Sequence, residues 1–130
     1  MKYISLILLL LIGCDSNREE IVDRHADGKK KILVKYKGGE TLGSFYYLPD
    51  GTEFNVISYY DNGKIMSVHQ MDEDKKHPNG LSIRFDKNHN IISKSNYKDG
   101  ELDGEWVIYT PDGRVMSKTY WKNGKKIDSN

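Results

Sequence analysis

The feature that most constrains the fold is a repeat in the second half of the chain, in which residues 80–100 recur in constant register as residues 104–124. Residues 80–85 (GLSIRF) align with residues 104–109 (GEWVIY), and residues 91–94 (IISK) align with residues 115–118 (VMSK). Each copy has a glycine that opens a short strand, a polar turn, and a longer strand that ends on an aromatic residue. A constant period of this size is the signature of an array of small supersecondary units. The fold is therefore predicted to be a stack of copies of one unit.

Residues 43–63 contain a third, more divergent copy of this unit. Gly43 opens a short strand, Pro49-Asp50-Gly51 supplies the turn, and a longer strand runs to Tyr60. Proline fixes φ in such a turn, and glycine accepts the positive φ that it needs. From Ile32 onward, strand and turn signals alternate without a helical period. The predicted strands are residues 32–36, 44–48, 54–60, 65–71, 80–85, 91–97, 104–109 and 115–121.

These patterns predict an all-β fold, an elongated antiparallel meander of β-hairpin repeats. The repeat domain is expected to cover residues 32–128, with repeats at about 43–63, 80–103 and 104–128. The charged loop at residues 72–79 is the one insertion in the predicted array. Insertions in repeat proteins map to loops and sometimes to binding faces.

The N-terminal segment, residues 1–13, has the pattern of an export signal. Lys2 precedes an apolar run from Ile4 to Ile12, about half of the roughly 20 residues that a transmembrane helix needs. Residues 11–14 (LIGC) resemble the lipobox of bacterial lipoproteins, in which a peptidase cuts before the cysteine and the cysteine is acylated. Cys14 is the only cysteine, so no disulfide forms within the chain. The alternatives are a secretory signal with an incidental cysteine and an uncleaved anchor.

If residues 1–13 are a lipoprotein signal peptide, the mature chain begins at a lipidated Cys14. Several acyl chains, palmitate among them, would hold that residue in the lipid bilayer, because a single chain binds only marginally. Residues 14–31 are polar, have no sustained period, and are predicted to be the lipidated cysteine followed by a flexible tether. The expected location is the bacterial cell envelope, with the exported protein anchored in a membrane.

The charges and motifs give no support to nucleic-acid binding or to catalysis. Lys plus Arg is 20 and Asp plus Glu is 19, so no basic excess points to nucleic acid. The sequence lacks a nucleophile elbow, a phosphate-binding loop and zinc-ligand spacing. We therefore expect no catalytic residues, no cofactor and no metal. One cluster has ligand character and is interpreted as a solvated loop, because Lys75 and Lys76 oppose a cation; its members are His69, Asp72, Glu73, Asp74 and His77. A hydrolase that uses this acidic loop is the enzymatic alternative.

The aromatic residues of the strands admit two interpretations. Alternate residues on one face of each long strand run through hydroxyl residues to Tyr60, Tyr97 and Trp121, which predicts an aromatic column at one end of the sheet. The aromatics are interpreted as the core of a thin sheet, as an exposed binding strip, since Tyr and Trp dominate interface hot spots, or as a mixture of the two. The residues concerned are Tyr59, Tyr60, Tyr97, Trp106, Tyr109, Tyr120 and Trp121. The candidate partner-binding residues are Tyr60, Tyr97, Trp106, Trp121, Asp72, Glu73 and Asp74.

The repeated glycine, Asx-Gly turn and aromatic-x-x-Gly ending resemble the MORN-repeat variant of bacterial proteins in the YwqK antitoxin family. Residues 111–114 (PDGR) and 120–125 (YWKNGK) carry the resemblance best, and it extends over residues 43–126. It implies an elongated β-hairpin meander and, for some members, neutralisation of a partner toxin by binding. We therefore expect a non-enzymatic lipoprotein that binds a protein partner, in an antitoxin-like or immunity-like role. The alternative is an envelope structural or assembly lipoprotein without a toxin.

Overall fold

The computed structural model describes residues 17–127, which form eleven β-strands in two antiparallel sheets. Each strand pairs with its neighbours in the chain within its sheet. The smaller sheet contains β1 (Arg18–Arg24), β2 (Lys30–Lys37), β3 (Glu40–Tyr47) and β4 (Glu53–Phe54). The larger sheet contains β5 (Val56–Tyr59), β6 (Ile65–Met71), β7 (Pro78–Phe85), β8 (Ile91–Lys98), β9 (Glu101–Tyr109), β10 (Val115–Lys122) and β11 (Lys125–Ile127). The predicted all-β meander of hairpins is confirmed. In this part of the chain, no helix is long and apolar enough to cross a membrane.

Five turns share one backbone geometry, which explains the recurrent Asx-Gly in the sequence. In each turn the N–H of the first residue bonds to the carbonyl of the fifth, and the N–H of the fourth bonds back to the first. This is a type I turn followed by a residue with positive φ, as in many three-residue hairpin loops. Glycine holds that fourth position in four of the turns, and His89 holds it with a φ of 65° in the other. The turns are residues 25–29, 48–52, 60–64, 86–90 and 110–114.

The main core lies where the two sheets meet. Tyr46 of β3 and Phe54 of β4 are 2% and 0% exposed, and the Tyr46 ring lies 6.0 Å from the rings of both Phe54 and Phe85. Burial of a large apolar side chain stabilises a fold by about 1.5–3 kcal/mol, so the packing at this junction contributes strongly to stability. The larger sheet contributes Ile65, Val68, Ile83 and Phe85 to the cluster.

The prediction of a single strand at residues 54–60 is wrong, because this segment forms parts of two strands. The chain leaves the smaller sheet after Phe54 and enters the larger one at Val56. Asn55 fixes this crossing, because its side chain accepts a hydrogen bond from Met71 N at 2.8 Å and donates one to Met71 O at 3.0 Å. The break places Phe54 in the core between the sheets, although strict alternation would have put it on the same face as Val56.

Part of the predicted flexible tether at residues 14–31 is a strand, so that prediction is corrected. β1 pairs antiparallel with β2, with Ile21 opposite Leu33. β1 lacks a hydrophobic period because it is an edge strand with mostly exposed side chains, held by backbone pairing and by the 3.0 Å ion pair from Asp23 to Lys31. The predicted signal peptide at residues 1–13 and the lipidation site at Cys14 lie outside the described residues.

The larger sheet has two faces of different character. On the core face, the ladder places Ile57, Val68 and Ile83 side by side and continues through Lys94 and Val107. The opposite face, which we call the hydroxyl face, carries Ser58, Ser67, Ser82, Ser93, Ser95, Ser117 and Thr119. The smaller sheet packs on the core face near β5–β7. Val107 of β9 is still buried on the core face, whereas Val115 and Met116 of β10 are exposed, so burial declines toward the C-terminal end of the larger sheet.

Candidate binding surface

Two tryptophans meet on the hydroxyl face near the C-terminal end of the larger sheet. Trp106 of β9 lies opposite Thr119 of β10, and Trp121 follows two residues later on the same face. The two rings are in contact, with centroids 5.8 Å apart and planes tilted by 47°. Trp121 Nε1 donates a 2.9 Å hydrogen bond to Thr119 Oγ1, whereas the Trp106 indole N–H has no acceptor among the described residues. This pair therefore offers both apolar area and a free donor.

Tyr97 and Ile108 extend this pair into a larger patch. Ile108 lies between Ser93 of β8 and Ser117 of β10, and Tyr97 lies on the same face near the end of β8. We call Tyr97, Trp106, Ile108 and Trp121 the tryptophan surface. All four side chains are partly exposed, and no second sheet covers them within residues 17–127. Partly exposed aromatics with a polar handle are typical of interface hot spots.

Tyr60, another predicted binding residue, lies away from the tryptophan surface. Its hydroxyl donates a 2.7 Å hydrogen bond to the carbonyl of Phe85, at the end of β7. Neighbouring strands of a meander run in opposite directions, and three steps separate β5 from β8, so the ends of these two strands point to opposite ends of the sheet. The predicted aromatic column is therefore wrong for Tyr60. Tyr97 and Trp121 do lie at the same end.

The interpretation that the strand aromatics form the core is wrong. None of the seven is buried, and Tyr59 and Tyr120 are 49% and 41% exposed. Three of the buried aromatics lie instead at the junction of the sheets, namely Tyr46, Phe54 and Phe85, and the fourth, Tyr47, is buried within the smaller sheet. The part of the chain that matches the repeat best is thus the part whose aromatics remain accessible.

The acidic loop is a turn in which two carboxylates bind the loop's own backbone. Asp72 Oδ1 accepts hydrogen bonds from the backbone N–H groups of Lys76 and His77, at 3.0 and 3.1 Å. Asp74 accepts the Lys76 N–H at 3.1 Å and pairs with the Lys76 amine at 3.3 Å. These bonds lower the pKa of Asp72, chiefly through the His77 N–H. Glu73 is exposed at the tip. Residues 17–127 hold no group of three or more side chains arranged to bind a metal ion.

His69, which the sequence analysis grouped with the acidic loop, is instead held between two serines. His69 Nδ1 and Nε2 each lie 2.9 Å from a hydroxyl, that of Ser82 and that of Ser67 respectively. Both serines are 4% exposed, and burial, together with Arg84, lowers the pKa of His69. A neutral imidazole can donate to one hydroxyl and accept from the other, so it satisfies both buried serines. The signal was present in the alternation of Ser67 and His69 on one strand face.

The last strands leave an open sheet edge. β11 pairs only with Tyr120, Trp121 and Lys122, so the outer edge of β10 before Tyr120 has no partner strand within residues 17–127. Val115 and Met116 on this stretch are 57% and 63% exposed. An unpaired edge with apolar side chains is a place where another chain can add a strand.

The fold and this surface define an all-β repeat protein with an open, partly aromatic sheet face. A protein-family model described as the MORN repeat variant matches residues 55–72 and 102–125. The first segment contains the β5–β6 hairpin and the second contains most of β9 and all of β10. No curated protein and no solved structure matches the chain. The match confirms the type of repeat and identifies no particular family of repeat proteins.

Proposed function

We propose that this protein is an exported lipoprotein that binds a protein partner through the tryptophan surface. The observation that carries the proposal is the contact of Trp106 and Trp121 on an uncovered sheet face, with the Trp106 N–H free to donate. Trp and Tyr are enriched among the residues that dominate binding energy. Repeat proteins commonly bind through such extended sheet surfaces.

The anchor in this proposal is a lipid on Cys14, supported by the LIGC motif at residues 11–14. Because β1 begins at Arg18, only three residues separate Cys14 from the first strand. Three extended residues reach about 10 Å, so a lipidated Cys14 would hold the smaller sheet close to the bilayer. The tryptophan surface lies toward the other end of the chain, where a partner could reach it.

The biological role that we favour is antitoxin-like or immunity-like neutralisation of a partner by binding. Its support is the resemblance of the repeats to those of YwqK-family antitoxins, which goes further than the matched MORN-variant segments. The alternative is an envelope structural or assembly protein that uses the same surface without a toxin. The two roles predict different phenotypes for cells that make the protein with its binding surface disrupted.

The binding proposal is tested by crosslinking and pull-down from intact cells with two alanine variants. Trp106→Ala should reduce recovery of the partner by about tenfold or more, as expected for a hot-spot residue. Tyr120→Ala is the matched control, because Tyr120 is an exposed aromatic on the opposite face of the same end of the sheet. Equal recovery with both variants would contradict the proposal.

The neutralising role is tested with the product of a neighbouring gene, if that product is toxic. Cells that carry Trp106→Ala should then become sensitive to it, while cells that carry Tyr120→Ala stay protected. Protection that survives deletion of the whole protein would exclude the antitoxin role and leave the structural one.

The anchor is tested by replacing Cys14. Cys14→Ser should abolish incorporation of labelled palmitate and release the protein from the membrane fraction, because the lipid supplies the membrane affinity. Continued labelling of the variant, or unchanged membrane association, would count against a lipoprotein.

A further inference from the structure

One cleft on the core face is lined by residues at which the repeat changes. The cleft has a volume of about 380 Å³ and lies beside the main core, against which its residue Ile91 packs. Its remaining lining residues are His89, Asn90, Lys94, Tyr109, Pro111, Asp112 and Gly113. Two of them differ from the equivalent residues in the next copy of the repeat. Lys94 aligns with a lysine that has different neighbours, and His89 aligns with a glycine. Both departures change the chemistry of the cleft.

Lys94 has lost the ion-pair partner that its repeat equivalent keeps. The equivalent residue, Lys118, pairs with Glu105 at 3.3 Å. The residue that corresponds to Glu105 in the earlier copy is Leu81, which is apolar and packs against the core. Within residues 17–127, Lys94 makes no ion pair, and its amine lies 5.9 Å from the centre of the Tyr109 ring. Lys94 is partly buried, and an ammonium with no carboxylate within ion-pair distance favours the approach of an anion.

His89 replaces the glycine that the other four turns have at the same position. It keeps the left-handed φ of 65°, which disfavours any residue with a Cβ. Its ring stacks on Phe85, with centroids 4.6 Å apart and planes 5° apart. Burial lowers the pKa of His89, and Lys31 and His25 lower it further, so the ring is neutral near pH 7. A neutral imidazole at the rim provides one N–H donor.

The carboxylates around the cleft are already engaged. Asp112 accepts hydrogen bonds from the Thr110 hydroxyl and from Arg114 Nε, the latter at 2.8 Å. Asp50, whose pKa is lowered mainly by its hydrogen bonds from Thr52 and in part by Lys94, accepts both the N–H and the hydroxyl of Thr52. Lys94 is therefore the cationic side chain in the lining of the cleft, and no carboxylate of residues 17–127 forms an ion pair with it.

We propose that this cleft binds a small organic carboxylate attached to a flat ring. The carboxylate would pair with Lys94, the ring would lie against Tyr109 and Ile91, and the imidazole of His89 would donate at the rim. A cleft of about 380 Å³ is near the lower end of the roughly 300–1,000 Å³ range of ligand sites, which suits a single ring with one acidic group. The site lies on the opposite face from the tryptophan surface and does not depend on it.

The test is titration of the full chain with benzoate and with benzamide, its neutral counterpart, followed by NMR of the Tyr109 and His89 rings. Benzoate should give saturable shifts, and benzamide should bind at least about fivefold more weakly because it lacks the charge. Acetyl-phenylalanine and its amide form a second pair. Preference for acetyl-phenylalanine over benzoate would identify a peptide C-terminus as the source of the carboxylate, and the reverse would identify a free small molecule.

Two lysine variants separate the proposed site from general charge effects. Lys94→Met should weaken benzoate binding by about fivefold or more, the loss expected for a charge-assisted contact. Lys118→Met, the same change at the equivalent position in the next repeat, should leave binding unchanged. The proposal is overturned by benzamide binding as tightly as benzoate, by equal losses in the two variants, or by shifts that do not saturate.

Discussion

The two ends of the larger sheet are built from the same repeat but have different surroundings. Phe85 is 2% exposed because Tyr46 of the smaller sheet packs against it. Its equivalent in the next copy of the repeat, Tyr109, is partly exposed and forms a wall of a cleft. Ile91 packs against the core, whereas its equivalent, Val115, is 57% exposed. The comparison shows that the neighbouring sheet, and not the repeat, decides whether a side chain is core or surface.

This difference separates stability from binding within one sheet. The β5–β7 end buries its apolar residues under the smaller sheet, and the β9–β11 end keeps two tryptophans accessible. Changes at the first end should therefore affect unfolding, and changes at the second should affect recognition. Four measurements test this division, beginning with the largest expected effect.

The largest loss is expected from Phe54→Ala. Phe54 is fully buried, and truncation of such an aromatic costs about 3–5 kcal/mol through lost burial and the cavity that remains. Trp121→Ala at the other end removes a partly exposed ring and should cost at most about half as much. Urea unfolding of both variants measures the difference, and similar losses at the two ends would break the comparison.

A smaller loss is expected from Asn55→Ala at the crossing between the sheets. The variant removes two hydrogen bonds to Met71 and leaves the backbone N–H and carbonyl of Met71 without these partners. The loss should cost about 1–3 kcal/mol. Asn96→Ala on β8 is the control, because Asn96 makes a single, longer bond of 3.3 Å to the Glu105 carbonyl. Urea unfolding should rank Asn55→Ala as the more destabilising change, and the reverse order would show that the crossing is held by other contacts.

A pH effect is expected at His69. Burial lowers the pKa of His69 below its ordinary value of 6.5, so the unfolded chain binds a proton before the folded one as pH falls. The contribution to stability is therefore complete above pH 6.5 and decreases as pH falls toward the lower folded pKa. Between about pH 7.5 and about pH 5.5, the free energy of unfolding should fall less in His69→Gln than in the unmodified protein.

The pKa of His89 is also lowered, so His89 provides a second test of the same pH effect. His89→Gln should also reduce the pH dependence, because burial lowers the pKa of His89 as well. A double variant should be flatter than either single one. Stability that rises on acidification over this range would contradict the burial of both rings.

The smallest effect is expected from Lys118→Met. The Lys118–Glu105 pair is 3.3 Å long and its side chains are 41% and 46% exposed, so its loss should cost less than about 0.5 kcal/mol. Thermal unfolding should show nearly the same midpoint as the unmodified protein. A shift of more than a few degrees would mean that the stability of the β9–β11 end depends on its surface charges.

The repeat predicted the strands because alternation and Asx-Gly turns are local properties of the sequence. The glycine of each Asx-Gly in the shared five-residue turn has the positive φ that the turn requires, and Ile83 and Phe85 face the core as alternation predicts. Periodicity did not reveal β1, because an edge strand held by backbone pairing has little apolar pattern. It also did not reveal the break at Asn55, because the side chain that fixes it bonds to Met71, far along the chain on β6.

The candidate surface was predictable in part. Trp106 and Trp121 stood out as aromatics in the best copies of the repeat, and their contact depends only on register between adjacent strands. Tyr60 was wrongly grouped with them because β6 adds a strand between the copies, so that β5 and β8 run in opposite directions and end at opposite ends of the sheet. The cleft at Lys94 required the structure, since only packing shows that Leu81, the equivalent of Glu105, lies against the core and that Lys94 makes no ion pair among residues 17–127.

The most direct test of the central claim is photocrosslinking in intact cells from two positions of the membrane-bound protein. A photoreactive side chain at position 106 lies on the tryptophan surface, and one at position 120 lies on the opposite face of the neighbouring strand. The proposal predicts a discrete crosslinked partner from position 106 and little or none from position 120. The same product in equal yield from both positions, or a product from position 120 alone, would contradict it.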